Sequence, residues 1–420
     1  MRPATYAYDY PTSRDENGRE RIGRGYLEAA PEALCTLSEV PWRRPAWAED
    51  LLHIARAVFL ADKLSLRDTA DDRWTRQVNL RVQVTNADVW HGHALELFSS
   101  LVGALTADRW RISVRPGAPP LPHQGRSHYD TSIEEVALFS GGLDSTAYVA
   151  ERSLVPAGDL LLVSYFEPKW KTPQDAVFGA IDRSRRRGLS QFVSSQQVRA
   201  GRPRLEKSAR TRGLLYAATA VFFAATHRVA QVAVPENGQL ALNPALTPAR
   251  VAACSTRSVH PFTLGLLNEL IRQVGGAVEV VNPYLHLTKG EVCRRALNAG
   301  LTPTTLTRHT VSCGRASSSH PELHCGHCYP CLMRHSGLLA ALGDDDTLYS
   351  KRVWDLPDHD RKTEDRRALH RWLERRFQVR DLVTDMPVPA GIDLAPLVAV
   401  VDRGRSELSA MFDRHRETGR

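Results

Sequence analysis

At 420 residues with 42% hydrophobic content, the chain is long enough for more than one domain and apolar enough for a buried core, and its net charge of +8 favours anionic partners such as nucleotides or nucleic acid. Residues Met1 to Arg24 hold no apolar signal core, and the longest apolar stretch, Leu214 to Ala225, is too short and interrupted to span a bilayer, which excludes an integral membrane protein and places the chain in the cytoplasm. Seven cysteines, an odd number crowded toward the C-terminal half, exclude a secreted disulfide framework.

In chain order, residues 49 to 61 read as a helix, Val78 to Val84 as an alternating strand, 92 to 106 as a helix and Arg109 to Val114 as a strand. Together they suggest an accessory α+β domain over 1–128, ending in the Pro- and Gly-rich linker Pro116 to His128. From Ile133 short β-rich runs alternate with amphipathic stretches. Strands are expected near 133–140, 159–166, 190–197, 229–235 and 277–282, and helices near 143–153, 173–187, 206–227, 261–274 and 288–299. That alternation predicts an α/β domain over 129–346, a parallel sheet with helices on both faces. A helix from Leu332 to Leu342 should stop at Gly343-Asp344-Asp345-Asp346. Arg-rich helices over Arg361 to Arg376 and Ser406 to Arg416 make 347–420 a basic helical extension, either a solvated face or a surface that touches nucleic acid.

Ser140-Gly141-Gly142-Leu143-Asp144-Ser145 lies between the strand Val136 to Phe139 and the helix that follows. Paired glycines permit positive φ and bring peptide N–H groups close to an anion, and a helix N-terminus adds unpaired donors and partial positive charge. Ser140 and Ser145 offer hydroxyls to phosphate, and Asp144 among anion donors makes sense if a metal is held there. No Lys follows the glycines, so the loop is not a Walker A loop. An ordinary βα turn would use the same residue types.

Other strand ends carry polar groups toward the same cleft. Glu236 and Asn237 follow the fourth strand of that domain, and Arg257 and His260 precede a helix. Arg257 suits a carboxylate or phosphate and His260 a proton or hydrogen bond, although a salt bridge between domains and an N-cap would serve as well. Thr288 with Glu291 reads as a capping box, which leaves Lys289 as a cation for phosphate. Lys207, Arg210 and Arg212 at a helix start oppose its dipole and suggest either an anion nearby or solvent exposure.

Cys313, Cys325, Cys328 and Cys331 form a C-x11-C-x2-C-x2-C array. Four thiolates at this spacing close a tetrahedral site with no open position, which favours structural Zn(II) over catalytic zinc, with buried thiols or a redox pair as alternatives. His320, His324, His327 and His335 flank the array, and Cys35, Cys254 and Cys293 have no partner spacing.

The hexapeptide resembles the pyrophosphate loop of PP-loop ATPases. With Leu287-Thr288-Lys289-Gly290-Glu291, Ser312-Cys313 and Cys325-Gly326-His327-Cys328-Tyr329-Pro330-Cys331, the order and spacing resemble QueC, the 7-cyano-7-deazaguanine (preQ0) synthase family, over residues 133 to 345. The resemblance implies the PP-loop (adenine nucleotide alpha hydrolase-like) fold and cleavage of ATP to AMP and pyrophosphate with Mg(II), which adenylates a 7-carboxy-7-deazaguanine-type carboxylate on the way to amide and nitrile. It implies Ser140, Gly141, Gly142, Leu143, Asp144 and Ser145 as the pyrophosphate site, Lys289 as a phosphate or substrate contact, and the four cysteines as Zn(II) ligands. The Tyr-Pro-Asp-Cys-Arg stretch of those synthases is replaced by Ser255-Thr256-Arg257-Ser258-Val259-His260-Pro261. That departure and the flanking segments are similar to QueC-like proteins of bacterial anti-phage systems, the Qat-type QatC proteins among them. There the activated group would pass to a partner protein encoded in the same defence operon. A preQ0 synthase of queuosine biosynthesis, a tRNA-modifying PP-loop enzyme and a nucleotide-binding scaffold without turnover are the alternatives.

Overall fold

The computed structural model describes residues 3–8, 20–22, 44–118, 133–165, 168–194, 204–246, 257–314, 320 and 323–417. The linker from residue 119 onward, Thr247, Ser255, Thr256, Cys35, Cys254 and the end of the strand expected at 190–197 lie outside them. Within them the fold is mixed α/β, with parallel sheets flanked by helices and a cysteine cluster able to bind a metal.

The first sheet holds β1 (Ala4–Tyr8), β2 (Glu20–Ile22), β3 (Gln77–Val84) and β4 (Arg109–Pro116) in the order β2-β1-β3-β4, every pair parallel. The N-terminal unit is therefore α/β and not the expected α+β. Parallel neighbours need a crossover, and α1 (Ala46–Leu64) and α2 (His93–Thr106) stand between these strands in the sequence. Val78, Leu80, Val82 and Val84 alternate onto the buried face of β3.

The second sheet holds β5 (Ile133–Leu138), β6 (Asp159–Tyr165), β7 (Leu189–Ser194), β8 (Gln231–Ala233) and β9 (Glu279–Val281) in the order β7-β6-β5-β8-β9, again all parallel. One face is covered by α5 (Arg212–His227) and α7 (Pro261–Gln273), whose core is continuous with that of the first sheet. Helix α1 packs on both β3 and α5, so Ala48 through Asp62 are all buried, which is why its apolar residues show no clean one-sided stripe. The other face is covered by α3 (Leu143–Ser153), α4 (Pro168–Asp182) and α8 (Lys289–Asn298).

The chain leaves β5 toward β6 on one side and later returns to β8 on the other. The strand order therefore reverses between β5 and β8, and a crevice opens at their carboxyl ends. Helix α6 (Gly238–Leu242) starts there. The C-terminal helices α9 (Tyr329–Leu342), α10 (Glu364–Glu374), α11 (Val379–Val383) and α12 (Leu394–Glu417) share an apolar core with α6 through Leu240, Leu242, Val400 and Trp372. No helix among the described residues is long and apolar enough to cross a membrane.

Candidate functional site

The turn after β5 is built as a cradle. Gly141 has φ +75°, and a Cβ there would meet Gln174 Cγ at 2.9 Å, so only glycine fits. Gln174 of α4 holds the turn by donating to the Ser140 and Tyr165 carbonyls at 3.0 and 3.2 Å, and Val311 N donates to Gly141 O at 3.0 Å. The Ser140 and Ser145 hydroxyls meet at 3.1 Å. Gly142 caps α3 without a side-chain acceptor, which leaves the first N–H groups of the helix open to an anion. Leu143 contributes backbone only, because its side chain is in the core.

Lys289 Nζ, from the first turn of α8, donates to Asp144 Oδ2 at 2.5 Å, and both side chains are buried. Asn237 Nδ2 donates to Asp144 Oδ2 at 3.2 Å and to Glu236 Oε1 at 2.9 Å, while its own Oδ1 caps α6 by accepting from Leu240 N. Asn282 at the end of β9 clamps the Glu236 backbone, accepting from Glu236 N and donating to Glu236 O. The crevice thus gathers Asp144, Glu236, Asn237 and Lys289 from four chain segments. Burial works against charge on Asp144, yet Lys289 and the neighbouring hydrogen bonds outweigh it and hold the carboxyl below its usual range. Burial together with the Asp144 charge pushes Glu236 well above the usual carboxylate range. Lys289 is raised: burial opposes its charge, and Asp144 and then Glu236 more than restore it. Asp144 Oδ1 is buried and has no hydrogen-bond partner. An unpaired oxygen on a buried carboxylate fits a ligand cation or donor.

A cavity of about 230 Å³ opens beside the turn, lined by Ser140, Ser145, Glu236 and the Tyr165 and Tyr216 rings, whose centroids are 4.6 Å apart. It combines flat apolar walls with a polar end, the usual make-up of a small-molecule site.

The C-terminal extension braces this group. Gln239 Oε1 accepts from Lys289 N at 3.2 Å, and a Cβ on Gly404 of α12 would overlap the Gln239 side chain. Glu407 of α12 accepts from Thr288 Oγ1 at 2.5 Å and from Gly290 N at 3.1 Å, on either side of Lys289. The Thr288–Glu291 capping box is present as expected. Gln239, Asn282 and Glu407 were not singled out from sequence: each is an ordinary polar residue whose partners are far along the chain.

Arg257 and His260 do not join the group. Arg257 donates to Ala104 O at 2.8 Å and pairs with Asp385 at 2.8 Å, tying the N-terminal unit to the C-terminal extension. His260 Nδ1 accepts from Phe262 N and caps α7; burial, and then the nearby Arg257 charge, bring its pKa down to about 4, so it is a neutral cap. Arg257 thus serves as a salt bridge between units and His260 as an N-cap. Helix α5 begins at Arg212, not 206, and Arg210 donates to Thr106 O and lies over the Trp74 ring, so it is committed to the N-terminal unit.

The Sγ atoms of Cys313, Cys325, Cys328 and Cys331 lie within 4.8 Å of one another, with Cys313–Cys328 at 4.0 Å, Cys325–Cys331 at 3.8 Å and Cys328–Cys331 at 3.4 Å. Four sulfurs bound at 2.3 Å to one tetrahedral ion would sit about 3.8 Å apart, so the donor set fits zinc. Cys325 N and Cys328 N each donate to a neighbouring sulfur at 3.4 Å, which suits thiolates. His324 accepts from Ser312 N, and His327 contacts Cys325 O, so these rings support the loop. Cys293 lies on α8 itself and is buried in the core.

The family model described as "QueC: Queuosine biosynthesis protein QueC" matches residues 260–342, which hold β9, Lys289 and all four cysteines. A comparison of the chain with curated proteins returns no match. Over residues 260–342 the chain is QueC-like.

Proposed function

We propose that the chain is a PP-loop ATP pyrophosphatase of the QueC kind, which cleaves ATP to AMP and pyrophosphate and adenylates a carboxylate of the 7-carboxy-7-deazaguanine type. The observation that carries this reading is the meeting of Lys289 with Asp144 at 2.5 Å beside an open-capped glycine turn, with one Asp144 oxygen unpartnered. Two anionic reactants must meet in line, so the site needs cations and N–H donors before it needs an acid or base. In this reading Ser140, Ser145 and the α3 amides hold the leaving pyrophosphate, Lys289 neutralises charge on the α-phosphate, and the Tyr165–Tyr216 cavity takes the purine ring. Asp144 Oδ1 would hold Mg(II), which when bound neutralises phosphate charge. Glu236 shares a hydrogen bond with the Asp144 carboxyl, and Asn237 orients both groups. The cysteine quartet holds structural Zn(II).

We further assign the units 1–128, 129–346 and 347–420 to an accessory domain, the ATP-cleaving domain and an extension that braces it, acting in the cytoplasm. The departures around Arg257 and the two flanking units favour transfer of the activated group to a partner protein in an anti-phage system over release of preQ0. A tRNA-thiolating role is less favoured, because among the described residues the clustered thiols are all in one metal-type site and the remaining Cys293 is buried.

Incubation with ATP and 7-carboxy-7-deazaguanine, followed by mass spectrometry, should give AMP and pyrophosphate together with an adenylate, amide or nitrile. Asp144→Ala and Ser145→Ala should abolish both products while the protein stays folded. Release of ADP and phosphate, or pyrophosphate release that survives Asp144→Ala, would sink the assignment.

A further inference from the structure

A second cavity, sharing no lining residue with the one beside the glycine turn, lies between α10, the end of α12 and the segment 354–358. Its volume is about 430 Å³, and Arg366, Arg367, Arg371 and Arg416 line it against a single carboxylate, Asp358. Asp358 is already paired with Arg366, and Arg416 with Asp413. Arg367 and Arg371 have no side-chain hydrogen-bond or ion-pair partner among the described residues, and Arg367 Nε is shut off from solvent with no acceptor. A buried donor left unpaired is unfavourable, so an acceptor brought by a ligand would stabilise it.

The rest of the lining is aromatic. Trp354 stacks on His415 with centroids 4.1 Å apart at 15°, and Phe412 meets Trp354 edge to face. His415 is in turn held by His335 at 2.9 Å, whose other nitrogen contacts Asp345 at 2.7 Å, so the platform is fixed from behind. A cavity of about 660 Å³ continues past the same Trp354–His415 pair, lined by Lys351, Arg352 and Arg414 together with Asp344, Asp345 and Asp355. Guanidinium forks suit phosphate oxygens and aromatic rings suit base faces, and the first cavity sets an excess of arginines beside a stacking platform.

We propose that this cavity binds a nucleotide unit, its phosphate at Arg367 and Arg371 and its base against the Trp354 platform. The unit belongs either to a free nucleotide or to a single strand of nucleic acid that continues into the adjoining cavity. The site is independent of the ATP-cleaving reading, since neither cavity wall contributes to the group around Asp144.

The test is fluorescence anisotropy of a labelled 12-nucleotide single-stranded RNA, competed with AMP and with poly-glutamate, on wild type, the Arg367→Ala/Arg371→Ala double variant and Trp354→Leu. The expected result is salt-sensitive binding that weakens at least tenfold in the double variant, at unchanged melting temperature and pyrophosphate release, and weakens in Trp354→Leu. Competition by AMP at concentrations comparable to the RNA assigns the site to a free nucleotide, and RNA binding that resists AMP assigns it to a strand. Equal affinity in wild type and the double variant, no binding of either RNA or AMP, or poly-glutamate competing as well as RNA would overturn the proposal. Because the readout is binding, it is unaffected by whether ATP is cleaved at the other cavity.

Discussion

Asp108 in the N-terminal unit and Asp144 beside the glycine turn are both buried carboxylates facing a buried cation, but their surroundings differ. Asp108 accepts from Arg67 and Arg76 through both oxygens, Arg76 also pairs with Asp62, and Asp62 takes a hydrogen bond from Thr211, so every carboxylate oxygen in that cluster is occupied. Arg76 spends all its donors there, on Asp62, Ser65 and Asp108. Around Asp144, by contrast, one oxygen lacks a partner and a second carboxyl, Glu236, made a weaker acid by burial and the Asp144 charge, lies close by. A closed cluster fixes the seam between α1, β4 and α5. An open one, with a reserve carboxyl, is built to receive something.

The contrast can be broken most directly at Asp108. Asp108→Ala leaves two guanidinium groups with one carboxylate, and breaking such a buried group is unfavourable by about 3–5 kcal/mol, so the melting temperature should fall by on the order of 10 °C. Differential scanning calorimetry checks this. Asp144→Asn should behave otherwise. Once the Asp144 charge is gone, the neighbouring Glu236 can ionise and neutralise Lys289, so the melting temperature should shift by about 2 °C or less while pyrophosphate release disappears. Adding Glu236→Gln removes that reserve and should destabilise by roughly 3 kcal/mol. A single variant as unstable as the double would erase the distinction between the clusters.

Acid sharpens the same contrast. His260 has its pKa lowered to about 4 by burial and then by Arg257, and His227 to about 4 by burial, against an ordinary 6.5. Both remain neutral in the fold while the unfolded chain takes up protons. Their stabilisation is therefore complete above pH 6.5 and is lost as the pH falls toward 4, by roughly 3 kcal/mol for His260. Asp144 is depressed and stays charged through that window, so the open cluster is not the source of the loss. His260→Asn, which keeps a capping oxygen, should flatten the melting-temperature profile between pH 6.5 and 4. A smaller effect on stability than at Asp108 is expected at Glu407. Glu407→Ala removes the acceptor for Thr288 and Gly290 and should destabilise by about 1–2 kcal/mol. Pyrophosphate release should drop about tenfold as Lys289 shifts, and Glu407→Gln, which retains an acceptor, should recover most of it.

Features carried by neighbouring residues were readable from the sequence. Helix α3 runs over 143–153 as expected, because the Gly-Gly turn before it and its apolar spacing both act locally. The four thiols converge as their spacing implied, since two of the intervals are single turns. The sequence left Arg257 open between a cleft cation and a salt bridge between domains, because its partners, Ala104 and Asp385, are 153 and 128 residues away and nothing near Arg257 records them. Glu407 was hidden for the same reason: its acceptor role depends on α12 crossing the start of α8. The short strands β1 and β2 are assembled by pairing, β1 with β3 and β2 with β1, and carry too few residues to show a period.

The crossing of α12 over Gly290, with Gly404 pressed against Gln239, also imposes an order on biogenesis. A nascent chain still being translated has exposed the glycine turn and Lys289 long before residue 407 emerges, yet the two are not locked until that helix arrives. The contact that fixes Lys289 can therefore form only after the segment carrying Lys289 has been made and α12 has joined it.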